Sequence, residues 1–188
     1  MLIETSPPAV TPEMDAEIAA HLRLSSGFGL DRTTEARAAF RAAIANIEAS
    51  IGLCLAPRGF VFRRRLSAST ASVEAPISPV RSLTSVMRIP SDGGPAAALD
   101  LSLFTLEAGA GRTRIRSRIQ FFDILEFTFD AGFGPEWADT PADLRRAALM
   151  LTGDMFDGRP DDEPARAPAS IGALIAPWRP LRLSAGAR

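Results

Sequence analysis

The hydrophobic period of this chain changes twice, and that alone removes most fold classes. Up to about residue 52 the apolar residues recur at helical spacing; from residue 58 they recur every second position; after residue 140 the helical spacing returns. Thr11-Pro12-Glu13 supplies a hydroxyl cap, a first-turn proline and an acid at the positive end of the dipole. Met14, Ile18 and Leu22 then follow at four-residue spacing, and Ser25-Ser26-Gly27-Phe28-Gly29 is expected to end this helix. A second helix should open near Asp31, with Ala36, Phe40, Ala43, Ile44, Ile47 and Ile51 on one stripe. Arg37, Arg41 and Glu48 lie off that stripe, and Gly52 is the expected stop.

The middle of the chain reads as strands. Arg58 to Leu66 alternates before reaching Arg63-Arg64-Arg65, and Val80 to Ile89 is β-rich, with Leu83, Met87 and Ile89 expected on one face. Leu99–Phe104 and Arg112–Arg118 flank Glu107-Ala-Gly-Ala-Gly111, which predicts a hairpin with a five-residue loop. Phe121, Leu125, Phe127 and Phe129 alternate with Ile124, Glu126, Thr128 and Asp130 to give a further strand. Thr140-Pro141-Ala142-Asp143 then resembles a capping box and opens a helix carrying Leu144, Ala148, Leu151 and Met155. Residues 159–168 form a polar, proline-rich linker, after which Ile171, Leu174, Ile175 and Trp178 suggest a short last helix. Helices and strands are segregated rather than alternating, so the expected fold class is α+β. It comprises a helical body (residues 1–57 and 136–178), an inserted antiparallel β region (58–135) and an arm (179–188).

The residue inventory narrows the chemistry. Every basic residue except His21 is arginine, which removes a phosphate-loop lysine, Schiff-base chemistry and a lysine base. One histidine and one cysteine cannot supply the four ligands of a structural zinc site. His21 is expected to be a capping or surface residue and Cys54 a small buried apolar one. No catalytic set, metal site or cofactor is expected, and the chain is read as not an enzyme. A lone cysteine demands no oxidising compartment, and neither a signal-peptide pattern nor an apolar run of about 20 residues is seen. The expected location is cytoplasmic when made, with no membrane partner. The formal net charge of −1 argues against coating nucleic acid by bulk charge.

One local feature stands apart from that balance. Arg112, Arg114, Arg116 and Arg118 fall at a period of two, so all four point to one face of a strand. Four like charges there require solvent, acids on neighbouring strands or an external anion. The face is therefore either solvated and acid-paired, or turned toward DNA or an acidic partner subunit.

The order of several segments carries a resemblance. These are His21-Leu-Arg-Leu24, Ile44 to Gly52, Ser78-Pro-Val-Arg-Ser-Leu-Thr-Ser-Val86, Asp130-Ala-Gly-Phe-Gly134, Thr140-Pro-Ala-Asp-Leu144, Met155-Phe-Asp-Gly-Arg159 and Leu174-Ile-Ala-Pro-Trp-Arg179. In that order they resemble the head-tail connector (head-completion adaptor) proteins of tailed phages and gene transfer agents, the latter being the closer fit. Phe133 and Trp178 stand where tyrosine is usual, and the linker before the last segment is long. The resemblance implies a homo-oligomeric ring, typically of twelve copies, between a portal protein and a tail-side connector or stopper protein. DNA would pass through it without sequence readout, and the chain would end in the particle at the head-tail junction. It also implies that the C-terminal segment reaches the portal. Ile171, Leu174, Ile175, Trp178, Arg179, Leu181, Arg182 and Leu183 are the expected partner-binding residues, on a segment too short to bury its own apolar side chains. The alternative is a small non-enzymatic binding module or assembly factor that is not retained in a particle.

Overall fold

The structure, a computed structural model, describes residues 1–5, 7–24, 30–66, 72–109, 112–158 and 168–179. Among the described residues, four helices and eight short strands follow one another as β1 (Leu2–Glu4), α1 (Pro12–His21), α2 (Leu30–Ile51), β2 (Arg58–Arg65), β3 (Ser72–Glu74), β4 (Val80–Ile89), β5 (Ala97–Ala98), β6 (Phe104–Ala108), β7 (Thr113–Ser117), β8 (Ile124–Ala131), α3 (Ala142–Asp157) and α4 (Ala169–Ile175). The class is α+β. Every strand pairing is antiparallel, in a five-stranded sheet ordered β1-β2-β8-β4-β5 and a three-stranded sheet ordered β3-β7-β6. The edge strand β1 comes from residues that the sequence reading assigned to the helical body.

The helices gather one apolar cluster. The predicted α2 stripe is buried throughout, and α3 adds Leu144, Ala147, Ala148 and Leu151. Trp137, in a short 3-10 turn before α3, fills the centre at 1% exposure, its ring edge-on to Phe40 at 5.5 Å. Its indole N–H donates to Glu17 at 2.9 Å, and Glu17 also pairs with Arg145 at 3.0 Å. Burial of a side chain of this size stabilises by roughly 1.5–3 kcal/mol, so the turn is pinned by its tryptophan rather than by its backbone.

The strands gather a second cluster, made chiefly of phenylalanine. Register places Phe60 beside Phe129 and Phe62 beside Phe127, with ring centroids 5.8 and 6.2 Å apart. Phe104, from the three-stranded sheet, meets Phe127 edge-on at 5.9 Å and stacks on Phe121, which joins the two sheets through their inner faces.

Several local expectations are corrected. Helix α1 stops at His21, before the serine-glycine run, because Arg23 takes the left-handed conformation (φ 54°) and Leu24 N–H reaches back to Ala19 O at 2.9 Å. In β4 two register irregularities, at 80–82 and 83–85, break the alternation. Val80 and Val86 are therefore buried with Leu83 beside them, while Met87 and Ile89 lie on other positions of the ladder. The hairpin exists, but its first strand is Phe104–Ala108, and Leu101–Leu103 forms a 3-10 turn capped by Asp100. Glu107 and Ala108, expected in the loop, are paired residues. Thr140 does not cap α3; its hydroxyl donates to Leu55 O at 2.9 Å and the helix begins after Pro141. Met155, expected on the buried stripe, is 38% exposed.

Candidate functional site

Five of the quoted segments, Ile44 to Gly52, Ser78 to Val86, Asp130 to Gly134, Thr140 to Leu144 and Leu174 to Arg179, lie far apart in sequence and meet around the place where the helices join the strands. Residues 52–57, leaving α2 at Gly52 (φ 73°), form the floor of this junction. Cys54 N–H donates to Ser78 O at 2.6 Å, and the Ser78 hydroxyl accepts Thr113 N–H at 2.8 Å. Thr113 in turn accepts Val80 N–H at 3.1 Å, across the cis Ser78-Pro79 bond. Gly132 N–H donates to Pro79 O at 2.9 Å, which draws the Ala-Gly-Phe-Gly segment onto the Ser-Pro-Val segment. Both of its glycines are required by space. A Cβ on Gly132 (φ 132°) would lie 3.0 Å from Pro57 Cα, and one on Gly134 would overlap the Asp139 carboxylate.

A buried ion pair ties the junction together. Glu48 and Arg58 are 6% and 8% exposed in their side chains and bond at 2.6 and 2.9 Å. Glu48 also accepts Leu55 N–H at 2.7 Å, while Arg58 reaches Ala56 O at 3.0 Å and Glu4 on β1. Glu48 lies off the apolar stripe, as expected, yet it is buried. It is the helix's contact with β2 and, through Arg58, with β1. A glutamate one turn before a helix stop with an arginine ten residues on was the available signal.

The last helix folds back on this assembly. Ile171 and Ile175 are 1% and 4% exposed within the helical cluster, with Leu174 and Trp178 partly buried against it. The Trp178 indole N–H donates to Asp143 at 2.6 Å, and its ring stands edge-on to Phe133 at 5.6 Å. The two aromatic positions that depart from the family pattern therefore touch each other. The segment does not bury its apolar side chains by itself; the helical cluster covers Ile171 and Ile175, so these two are occupied within the chain. Arg179 follows at the exit of the 3-10 turn Ala176–Trp178. Leu181, Arg182 and Leu183 lie outside the described residues, as does the linker from 159 to 167.

The arginine strand alternates as expected: Thr113, Ile115 and Ser117 point inward, while Arg112, Arg114, Arg116 and Arg118 are exposed. Glu74 on β3 pairs with Arg112, and Glu107 on β6 pairs with Arg116 at 3.1 Å. Arg114 stands opposite both acids in register. Among the described residues no carboxylate is within ion-pairing distance of Arg114 or Arg118. The face is thus half acid-paired.

The remaining nucleophile, Cys54, lies within the junction floor, where Arg58 donates to its sulfur at 3.3 Å, and the remaining base, His21, lies at the end of α1. Burial, with Glu48 nearby, pushes the Cys54 thiol up to about 12, and its S–H donates to Ala56 O at 3.1 Å. His21, at the end of α1, is held below its ordinary pKa by burial and then by Arg146, with Asp154 opposing. No group of three or more His, Cys, Asp or Glu able to hold a metal occurs among the described residues. No described helix is long and apolar enough to cross a membrane.

Comparison with known proteins bears on the resemblance directly. No protein-family model matches the chain, and no curated protein matches it. Solved structures do. A chain in the neck of an empty GTA particle, computed with C6 symmetry, is 29% identical at a TM-score of 0.81, covering 99% of this chain and 98% of that one. A chain in the virion of a native gene transfer agent particle is 29% identical at 0.80 over the same shares. A chain in the neck of a native GTA particle, computed with C12 symmetry, is 27% identical at 0.78, again covering 99% and 98%. Over nearly its whole length the chain is thus similar to chains of gene transfer agent particles, two of them described in the neck, the resemblance that the order of its segments implied.

Proposed function

We propose that the chain is a structural, non-enzymatic adaptor of a phage-like particle, one of twelve copies in a ring between portal and tail that continues the DNA channel. The observation that carries this reading is the likeness over 99% of the chain to a neck chain in a structure computed with C12 symmetry. A single protomer face that meets a different face of its neighbour closes into such a ring when the rotation between copies closes. The chain would assemble in the cytoplasm and remain in the particle.

The described geometry supports a division of labour within each copy. The helical cluster and the junction supply a rigid body, and Trp178, fixed by Asp143 and Phe133, sets where the chain leaves it. The portal contact then falls to Arg179, Leu181, Arg182 and Leu183 rather than to Ile171 and Ile175, which are already buried. Repetition around a ring would let weak individual arms hold firmly.

Quantitative mass spectrometry of purified particles, with imaging of the neck, tests the reading. Twelve copies at the neck are expected; one or two copies, or absence from the particle, would overturn it. Removal of residues 180–188 should leave a folded protein that fails to join heads. Normal incorporation of that truncated chain would move the portal contact onto the helical body.

A further inference from the structure

The near-zero net charge conceals a strong division. Residues 58–131 hold ten arginines against seven acids, whereas the rest of the chain holds eleven arginines against fifteen acids. The β region is therefore positive by three charges and the remainder negative by four. Within the β region the excess is concentrated. The exposed face of the three-stranded sheet carries Arg112, Arg114, Arg116 and Arg118 against only Glu74 and Glu107.

Topology brings the second arginine run to the same end of the β region. Arg65 pairs with Ile124 at the start of β8, seven residues after Ser117, the last residue of β7. Ser72, soon after Arg65 in sequence, stands opposite Arg116. Arg63 is held by Glu126 and Arg88 by Asp123, but Arg64 and Arg65 are exposed with no ion-paired carboxylate among the described residues. Arg64, Arg65 and Arg118 thus belong to one end of the β region, while Arg114, beside Thr113, stands nearer the junction; none of the four has a carboxylate at ion-pair distance among the described residues.

We infer that this basic face, with Arg114 and Arg118 at its centre, holds the sugar-phosphate backbone of double-stranded DNA, as a contact that rests on the adaptor reading above. The side chains on the face favour phosphate over an acidic protein surface. The outward positions paired across the three strands are Ser72, Glu74, Thr105, Glu107, Arg114 and Arg116, all polar, with Arg112 and Arg118 flanking them; the exposed apolar side chains Ile119 and Phe122 follow only beyond the end of β7. Protein interfaces draw their cores from aromatic and apolar residues. Phosphate contact needs only guanidinium and hydroxyl donors, and it reads no sequence. Alternate residues of a strand lie ~6.8 Å apart, about two rises of 3.4 Å along one DNA strand, so successive guanidiniums match the axial spacing of alternate phosphates. Two unpaired charges per copy bind weakly alone; arranged around a DNA-filled channel they would form a band of positive potential.

A photo-crosslinking residue placed at position 114 or 118 in filled particles tests this. A covalent adduct with DNA is expected from both positions, and none from a control at Arg37 on α2. Adducts with protein alone, in particles that contain the chain at the neck, would overturn the inference and leave the adaptor reading standing; absence of the chain from particles would remove the adaptor reading itself. Salt titration of full-length protein on a random-sequence duplex gives a second readout. Replacing both residues by glutamine (R114Q/R118Q) should flatten the log-log salt dependence by about two, at roughly 0.9 per phosphate contact, while R114K/R118K retains it. Equal slopes for wild type and the glutamine variant would count against the proposal.

Discussion

Replacing Glu48 by alanine removes the acceptor that closes the junction. The substitution deletes three hydrogen bonds, from Leu55 N–H and from two nitrogens of Arg58. It leaves a guanidinium at 8% exposure facing a void. Breaking a buried pair from one side costs about 3–5 kcal/mol. Arg58 retains Glu4 and Ala56 O, so the low end of that range applies, about 3 kcal/mol. For a chain of this size each kcal/mol moves Tm by about 2–4 °C, giving a fall of roughly 6–12 °C. Glu48→Gln keeps a neutral acceptor for Leu55 and should lose about half as much. Thermal and urea unfolding of the soluble protein would measure both variants. Combining Glu48→Ala with Arg58→Met should cost clearly less than the sum of the two, because no charge is then left buried alone. A Tm change under about 2 °C for Glu48→Ala, or strict additivity of the pair, would refute the view that this contact fastens helices to strands.

Further outcomes follow from the same packing. Ile171→Ala should destabilise the isolated protein by about 2–5 kcal/mol, read by urea unfolding, because the side chain is 1% exposed in the chain's own core; a neutral effect would free it for a partner. Gly132→Ala should cost ~1–3 kcal/mol by the same measurement, since φ is 132° and the new methyl would press on Pro57. The Cys54 thiol, pushed up to about 12, should resist alkylation at pH 9 until urea unfolds the chain; rapid native labelling would show the site open. As the chain's one histidine, His21 should titrate by proton NMR below 6.5. Because the folded state binds that proton less readily than the unfolded state, stability should decline as pH falls through 6.5 and level off below the folded pKa. His21→Gln should remove that component.

What was legible in the sequence depended on whether one physical effect acted alone. The α2 stripe was readable because Ala36 to Ile51 packs by helical period with nothing competing. The outward arginines were readable because β7 is regular and its register unbroken. Glu48 was not, since a position beside the stripe is ordinarily solvated, and only Arg58, brought in from β2, makes its burial tolerable. The β4 faces differ from strict alternation because β4 carries extra residues at Arg81 and Thr84 relative to β8, and each shifts the following side chains to the other face. Thr140 looked like a cap from its neighbours, yet Leu55 O competes for its hydroxyl. The fate of α4 was hidden for a similar reason. A seven-residue helix cannot bury its own apolar face, and the surface that does so, on α3, lies across a linker. The convergence of Phe133, Asp143 and Trp178 required knowing that the three segments meet.

That convergence bears on how a protomer of this kind could couple two separate contacts. The exit of the arm is set by Trp178 against Phe133, and Phe133 follows directly from β8 through Gly132. Strand β8 is the middle strand of the five-stranded sheet, and its first residue pairs with Arg65 at the basic end. One continuous strand therefore spans from the proposed DNA-facing end to the residue that fixes the arm. The strand is buried on its inner side by Leu125, Phe127, Phe129 and Ala131, each at 0 or 1% exposure, so a shift at one end cannot be absorbed locally. A displacement at Arg65 would then reach Phe133 through a close-packed element rather than through a hinge. Equally, loosening the junction at Glu48 would separate the two contacts mechanically while leaving each of them intact.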